Sequence, residues 1–440
     1  MWHTPFPVSE AVALFEDVAK LPSPTTLWVA DTPYYRPLFY VTLWTIWHNA
    51  TSIEARLAWV KLVNIIPVLF LLVLLIWQLR PRTFLDAAAA AVAGAVLMGS
   101  PGFRDNLEIP LSYTAVGMPM ALMVWILLNQ ERRVWHGPAI VALALIAIGF
   151  KEQGLVIVPL VIAAWRTRAP GAGRGTAVVL AGIAVAYVVF RLQWRDRWPL
   201  FEQSIGLGFS ILEPGEAAAR FGAFPYWVYA YSGLATIANV LFSEPINGTF
   251  FIVRDWVYGQ LPPAGILRFG SSVALTVVIT WWGIRSLRVS LQGAAWSIES
   301  RTFVALVVVL LGCGALSFNY SRDRLGGMAV VFYALAAFFA LRAAAMQIVE
   351  ASRSRVAAAG VALALLAGAW NVRAVGTIES ARRMSIANRG QWLVQLPDRR
   401  AEFAERPMYL SIMQSMIEQG TDPAAPRPTR YPDWMVSVIQ

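Results

Sequence analysis

Long apolar runs separated by short polar connections dominate the chain between residues 61 and 370. A transmembrane helix needs roughly 17–25 mostly apolar residues to cross about 30 Å of hydrocarbon. Ten runs are candidate spans: 61–79, 84–100, 113–129, 135–150, 154–165, 176–191, 266–284, 302–319, 326–345 and 354–370. With 226–243 as an uncertain further candidate, the pattern predicts an all-α, polytopic membrane protein of about 10–11 transmembrane helices.

The same pattern divides the chain into three regions. Residues 1–60 are predicted to form a first external loop with interfacial helices, and 61–370 the transmembrane domain, with an external loop at about 192–265. Residues 371–440 form a polar tail, which we expect on the extracytoplasmic side.

Arginines in alternate connections set the predicted orientation, because cytoplasmic loops of membrane proteins are enriched in basic residues. They are Arg80, Arg82, Arg132, Arg133, Arg166, Arg168, Arg174, Arg285, Arg288, Arg342, Arg353 and Arg355. Residues 1–60 then lie outside, yet no apolar segment or signal peptide precedes them. We therefore expect a first span encoded upstream of Met1, with translocation of an unaided tail as the alternative.

Composition agrees with this class of protein. Hydrophobic residues make up 58% of the chain and charged residues 14%, whereas soluble domains are about 25% charged. The net charge of +10 is explained by the loop arginines, so it indicates topology and a lipid bilayer partner rather than nucleic acid. A single cysteine, Cys313, excludes an intramolecular disulfide, and the three histidines lack metal-ligand spacing.

Candidate chemistry begins just ahead of an aromatic segment, 38–48, that is too short to span and suits a helix lying in the interface. Asp31 and Arg36 precede it and are expected near the headgroup plane. There, a carboxylate can act as general base on an acceptor hydroxyl, and an arginine can bind a lipid-linked phosphate. The alternative is a solvated loop with one salt bridge.

Two motifs carry a resemblance to a known family. Tyr34-Tyr35-Arg36-Pro37-Leu38, followed by Lys61-Leu62-Val63-Asn64, resembles the first external loop and second span of GT-C-type membrane glycosyltransferases. Gly149-Phe150-Lys151-Glu152-Gln153-Gly154, with Pro159 beyond it, is similar to the Lys-Glu turn and Pro-containing helix of bacterial, mannosyltransferase-like members. The motifs occur in the family's order and together cover about a third of the chain.

The resemblance implies an enzyme of a bacterial inner membrane. It would transfer a sugar from a polyprenyl-phosphate-linked donor to an unidentified glycan, lipid or protein acceptor on the extracytoplasmic face. Such enzymes usually carry an acidic pair early in the first external loop. Here the adjacent acids are Glu16 and Asp17, which can equally be a solvated helix face. Asp31 is the better-placed catalytic carboxylate, and Glu16 and Asp17 are the other candidates.

Three more groups of charges join the candidate site. Lys151 is expected to contact the donor phosphate while Glu152 orients it or pairs with Arg36, unless Lys151 and Glu152 neutralise each other. Asp105 and Glu108 are candidates for binding the acceptor or a divalent cation, although two carboxylates alone are a poor metal signature. The cluster Arg322-Asp323-Arg324 is expected only to flank the following span.

Two other functions remain open from the sequence. The chain could be a non-catalytic or truncated member of the same group, because the family's acidic pair has no clear counterpart. It could also be a transporter or flippase for a lipid-linked solute. Transporters tend to carry ionisable residues in mid-span, whereas the charges here are predicted at span ends.

Overall fold

The computed structural model describes Phe6 and residues 8–23, 36–109, 111, 113–193, 218–219, 222, 227–244, 248–261, 263–293, 295–318, 322–351 and 355–420. This part of the chain is all-helical and contains no strand. The fold class is therefore confirmed as all-α, and sixteen α-helices are numbered below within the described residues.

The helices of the first half are α1 (Val8–Ala19), α2 (Pro37–Asn49), α3 (Ile53–Leu79), α4 (Phe84–Gly99), α5 (Pro101–Glu108), α6 (Tyr113–Leu128), α7 (His136–Phe150), α8 (Ile157–Arg166) and α9 (Arg174–Gln193). Those of the second half are α10 (Trp227–Leu241), α11 (Gly248–Val257), α12 (Pro263–Leu291), α13 (Ile298–Leu316), α14 (Gly327–Ala351), α15 (Arg355–Arg399) and α16 (Pro407–Gly420). Short 3-10 turns occupy Glu152–Val156, Asp323–Gly326 and Arg400–Phe403.

Four helical segments are long and apolar enough to cross a membrane: Ile53–Leu79, Ile298–Leu316, Asp323–Ile348 and Arg355–Phe403. Four further apolar helices are shorter: Phe84–Gly99, Thr114–Leu128, His136–Phe150 and Arg174–Phe190. All eight overlap predicted spans, and Arg355–Phe403 extends far beyond the predicted 354–370. The structure thus supports membrane-spanning character by length and composition, and the full count of ten or eleven spans stays a prediction.

The central pair of the bundle is α4 and α15. Alanines recur through α4, and its last residue, Gly99, lies so close to α15 that an added Cβ would be 3.2 Å from Ala374 N and 3.3 Å from Trp370 O. Small residues let helix backbones approach closely, which is how helices commonly pack in membranes. The completely buried α14 residues around Phe332 pack on the other side of α4.

Several of the arginine-bearing connections meet at one end of the bundle. Arg342 forms an ion pair with Asp86 at the start of α4 (Nε–Oδ1 2.8 Å), and the Arg132 side chain lies against Gly173. The opposite end carries α5 and the 3-10 turns at Glu152–Val156 and Asp323–Gly326, and we call it the α5 end. This separation matches the predicted alternation, with the α5 end on the predicted extracytoplasmic side.

The predicted span 154–165 is not one helix. Its first residues belong to the 3-10 turn, and α8 contains ten residues, a length of about 15 Å at 1.5 Å per residue. Even so, the segment returns to the arginine-bearing end, where Gly171 N donates to Leu128 O (2.9 Å). The bundle is therefore thin here, since α6 has sixteen residues and is about 24 Å long.

The uncertain candidate 226–243 forms α10, which packs across the α5 end. Val240 lies against Gly326 of the second 3-10 turn, and Gly233 lies against Gly314 near the end of α13. The fifteen residues of α10 and the ten of α11 correspond to about 22 Å and 15 Å. Their lengths do not distinguish a crossing segment from a non-crossing one, because the candidate span α7 also has fifteen residues. Much of the predicted loop 192–265, including 194–217, lies outside the described residues.

A second hydrophobic core sits beyond the α5 end. It is formed by α1, α2, α16, the start of α3 and the end of α15, with Phe15, Leu43 and Met413 fully buried within it. We call this unit the cap. It joins residues from the predicted first external loop to residues from the predicted tail. One helix, α15, continues across the predicted boundary at residue 370 and reaches the cap at Leu396.

Candidate functional site

Arg36 is positioned by the proline that follows it. Pro37 begins α2, and the residue before a proline is disfavoured in helical conformation, so Arg36 lies outside the helix with φ −133°. The first turn of α2 packs on α7, where the Leu38 side chain meets Gly149. Arg36 is buried (7% exposed) between the cap and the bundle.

Lys151 and Glu152 lie where α7 ends. Lys151 has an extended backbone (φ −163°, ψ 150°), and the 3-10 turn begins at Glu152. Gly154 folds this turn back onto α7 so tightly that an added Cβ would be 2.3 Å from Ile148 N. The tight turn sets both charged residues at the junction of cap and bundle, with Lys151 buried (4% exposed).

Arg36 and Glu152 form a two-pronged ion pair. Arg36 Nε donates to Glu152 Oε1 (3.2 Å), and Arg36 Nη2 donates to Glu152 Oε2 (3.0 Å). This is one of the two arrangements expected for Glu152. The roles of these residues in binding a ligand remain predictions.

Polar contacts continue from this pair across the α5 end. Gln153 Nε2 donates to Arg324 O (3.1 Å), and Arg104 of α5 pairs with Asp323 (Nη2–Oδ2 2.7 Å). The prediction that Arg322-Asp323-Arg324 only flanks a span was wrong, because Asp323 is buried (5% exposed) and holds α5.

The first motif's Asn64 ties α3 to the segment that follows α5. It donates to the backbone oxygens of Asn106 (3.3 Å) and Ile109 (2.9 Å). Asn64 therefore has a structural role: it holds the loop that leads into α6.

Glu16 is an anchor of the cap and not a solvated residue. Glu16 is 1% exposed. Its carboxylate accepts hydrogen bonds from Arg406 (Nε–Oε2 3.0 Å) and forms an ion pair with Lys20 (Nζ–Oε1 2.8 Å). Burial would raise the pKa of Glu16, but hydrogen bonds from Arg406 and Lys20 outweigh it, so this pKa lies below its usual value. A carboxylate held in this way is a poor general base. Asp17, by contrast, is exposed.

The remaining predicted acids are not settled by the structure. Asp31 lies outside the described residues, as do Tyr34 and Tyr35. Asp105 and Glu108 fall within α5, but their side chains are outside the described part. Within the part that is described, no three His, Cys, Asp or Glu side chains come together to hold a metal ion.

Sequence reasoning missed a second group of charges at the α5 end. Glu244, just after α10, pairs with Arg268 of α12 (Nη2–Oε2 3.0 Å) and lies 4.0 Å from Arg373 of α15. All three side chains are buried. One signal was present, because ionisable residues within or beside apolar runs are costly unless paired or functional.

The chain was compared with protein-family models, with curated proteins and with solved structures. None of them matches. The site must therefore be interpreted from its own geometry and from the motif resemblance.

The arrangement is suited to holding an anionic group. Arg36 is fixed by Glu152, and Lys151 adds a second cation in a buried setting, where charge interactions are stronger than in water. Proteins commonly bind phosphate with the guanidinium group of arginine and the ammonium group of lysine.

Proposed function

We propose that the chain is a membrane glycosyltransferase that transfers a sugar from a polyprenyl-phosphate-linked donor to an acceptor on the extracytoplasmic face. The observation that carries the proposal is the meeting of Arg36, from the first motif, with Glu152 and its neighbour Lys151, from the second. Arg36 and Glu152 are 116 residues apart in sequence. Their contact supports a shared role for the residues on which the resemblance depends.

The proposed reaction uses these residues as follows. A carboxylate, with Asp31 as the first candidate and Asp17 as the second, removes the proton from an acceptor hydroxyl. The hydroxyl oxygen attacks the anomeric carbon of the sugar, and the bond to the donor phosphate breaks with its electron pair on the phosphate oxygen. Arg36 and Lys151 offset the charge of the departing polyprenyl phosphate.

The test uses membranes that contain the protein and a radiolabelled polyprenyl-phosphate sugar, beginning with mannose and extending to other hexoses. We expect label in a covalent acceptor product. Replacing Lys151 by Gln, or Arg36 and Glu152 together by Gln, should lower transfer about a hundredfold or more, the usual effect of losing charge stabilisation of a transition state. Replacing both residues avoids leaving the Glu152 carboxylate without its Arg36 partner.

Arg399→Gln is the matched control, because Arg399 forms an exposed ion pair with Glu402 (Nη2–Oε2 2.7 Å) in the cap. It should leave transfer unchanged. Full activity of the Lys151 and Arg36/Glu152 variants would refute the assigned roles. Movement of labelled lipid across the membrane without a covalent product would instead favour the transporter alternative.

A further inference from the structure

A small pocket at the α5 end is lined mainly by cationic and hydroxyl groups. It lies where α4 meets α5, beside the end of α10, the start of α12 and the middle of α15. Its lining residues are Gly99, Pro101, Arg104, Ser243, Arg268, Arg373, Thr377 and Ser380. Three arginines therefore face this space, and no carboxylate among the side chains that the structure describes lines it.

Arg373 is held rigidly at the pocket. Its Nη1 donates to Ser272 Oγ (2.6 Å) and Arg268 O (3.1 Å), and its Nη2 donates to Ser243 O (2.7 Å). Its guanidinium also stacks over the buried Trp370 ring at 4.1 Å from the ring centroid. These neutral groups fix the guanidinium in place, and the Glu244 carboxylate lies 4.0 Å from its Nη2.

The other two arginines are held by carboxylates set behind the pocket wall. Arg268 Nε donates to Glu244 Oε1 (3.1 Å), and Arg104 Nη2 pairs with Asp323 Oδ2 (2.7 Å). Because these contacts fix the guanidinium groups in advance, little side-chain entropy would be lost when an anion binds.

Among the described side chains around the pocket, guanidinium groups outnumber carboxylates. Three guanidinium groups face two buried carboxylates, Glu244 (0% exposed) and Asp323 (5% exposed). A buried charge is costly unless it is paired, so an anion in the pocket would be favoured. Arginine forks match phosphate oxygens in geometry, and the hydroxyl of Ser380 is a further donor.

We propose that this pocket binds a single phosphate group, distinct from the site at Arg36 and Lys151. The phosphate could belong to a lipid or be free inorganic phosphate. In the proposed orientation, the pocket is on the extracytoplasmic side, near the level of lipid headgroups. The inference does not depend on the transferase proposal, because binding can be measured where no sugar is transferred.

The experiment measures binding by the full chain purified in detergent, with Lys151→Gln in every protein, so that the site proposed at Arg36 and Lys151 does not contribute. Titration calorimetry in a chloride-free buffer is carried out with inorganic phosphate and, separately, with farnesyl phosphate as the lipid probe. Saturable binding of either probe is expected. Binding of both assigns a free phosphate site, whereas binding of farnesyl phosphate alone assigns a lipid phosphate site.

Two variants decide whether the pocket is responsible. Arg268→Met combined with Glu244→Leu removes one arginine without leaving a buried unpaired carboxylate, and Ser380→Leu fills the pocket without changing any charge. Each should weaken binding at least tenfold. Arg254→Gln, which removes an exposed arginine in α11, should leave the affinity unchanged.

Two results would overturn the proposal. One is the absence of binding of both probes by the Lys151→Gln chain. The other is unchanged affinity in a folded pocket variant, which would leave the three arginines a purely structural role. Gel filtration of each variant confirms that it is folded before titration.

Discussion

The buried carboxylate of Glu16 connects α1 with a residue near the C-terminal end of the described chain. Its partners are Lys20, one helical turn away, and Arg406, which is 390 residues away and lies just before α16. Glu16 itself is 1% exposed and lies against the cap core that α1 and α16 share. Glu16 therefore contributes to stability, and this role is separate from any proton transfer.

Glu16→Gln should destabilise the cap by about 1–3 kcal/mol. The value is below that for a completely buried ion pair, because Arg406 and Lys20 are about half exposed. Since folding lowers the pKa of Glu16, its stabilising effect is complete above the ordinary glutamate pKa of about 4.3. The effect is lost as the pH falls through the lower pKa of the folded state.

The measurement is the thermal unfolding midpoint of the purified protein in detergent between pH 7 and pH 3, followed by tryptophan fluorescence. The unfolding midpoint of Glu16→Gln should fall less between pH 7 and pH 3 than that of wild type, because Glu16 is no longer there to be protonated. Glu402→Gln is the control, since that glutamate pairs with Arg399 at the surface. Equal midpoints for Glu16→Gln and wild type at pH 7 would contradict the assignment.

At this scale, sequence reasoning identified some residues and not their partners. The two motifs marked Arg36 and Glu152, and pairing between them was one stated alternative. The sequence analysis did not single out Arg268, Arg373 or Glu244, because nothing local in the sequence indicates that they meet. Their contacts join residues 24 to 130 positions apart, and such distances become short only when the helices pack.

Among the elements, the 3-10 turn at Glu152–Val156 sets the geometry of the candidate site. It lies against the last turns of α7 because Gly154 has no side chain to hold it away. The turn presents Glu152 to Arg36 and brings Gln153 to the second 3-10 turn through Arg324 O. Moving it would disturb both contacts together.

Gly154→Ala should destabilise the protein by about 2 kcal/mol or more, because the new Cβ would collide with backbone atoms of Ile148 and Ala147. We also expect transfer activity to fall, since Lys151 and Glu152 must shift. Thermal unfolding and the radiolabel assay measure the two effects.

Gly182→Ala in α9 is the matched control. A Cβ at Gly182 would meet nothing within 4 Å, and alanine favours helix over glycine by about 1 kcal/mol. This variant should be as stable as wild type or more stable. Wild-type stability and activity in Gly154→Ala would show that the turn can relax without cost.

Sequence patterns predicted some helices correctly and missed the full extent of another. The apolar runs indicated α3, α13 and α14 because burial among helices or lipid requires continuous apolar sequence. The polar residues after 370 suggested a separate tail, yet α15 continues through them to Arg399. One side of that polar stretch packs on α5 and on the cap, and this packing is not visible as a local apolar run.

At the scale of the whole molecule, the two ends of the bundle differ in chemistry. The α5 end carries the cap and the candidate sites, and the other end carries the loop arginines. The proposed orientation places the cap outside the cell. Cys313 is buried and is the single cysteine of the chain, so its replacement by alanine gives a background for cysteine labelling.

In that background, Thr51→Cys beside the cap should react with a membrane-impermeant maleimide added to intact cells. Val134→Cys, in the connection between α6 and α7 where Val134 is 98% exposed, should react only after the membrane is permeabilised. Both positions are exposed, so a difference in labelling reports the side of the membrane. The reverse pattern would invert the proposed orientation, and labelling of both in intact cells would argue against a barrier between the two ends.

The length of α15 has a consequence for how the protein can change. Trp370 belongs to the bundle core and Leu396 to the cap core, and one unbroken helix connects them. Each residue inserted between them would turn the cap by about 100° and lift it by about 1.5 Å. One or two extra residues would rotate the cap away from its contacts with the bundle. Seven would nearly restore its angle but would raise it by about 10 Å. The helix therefore fixes both the angle and the height of the cap, and no insertion preserves both.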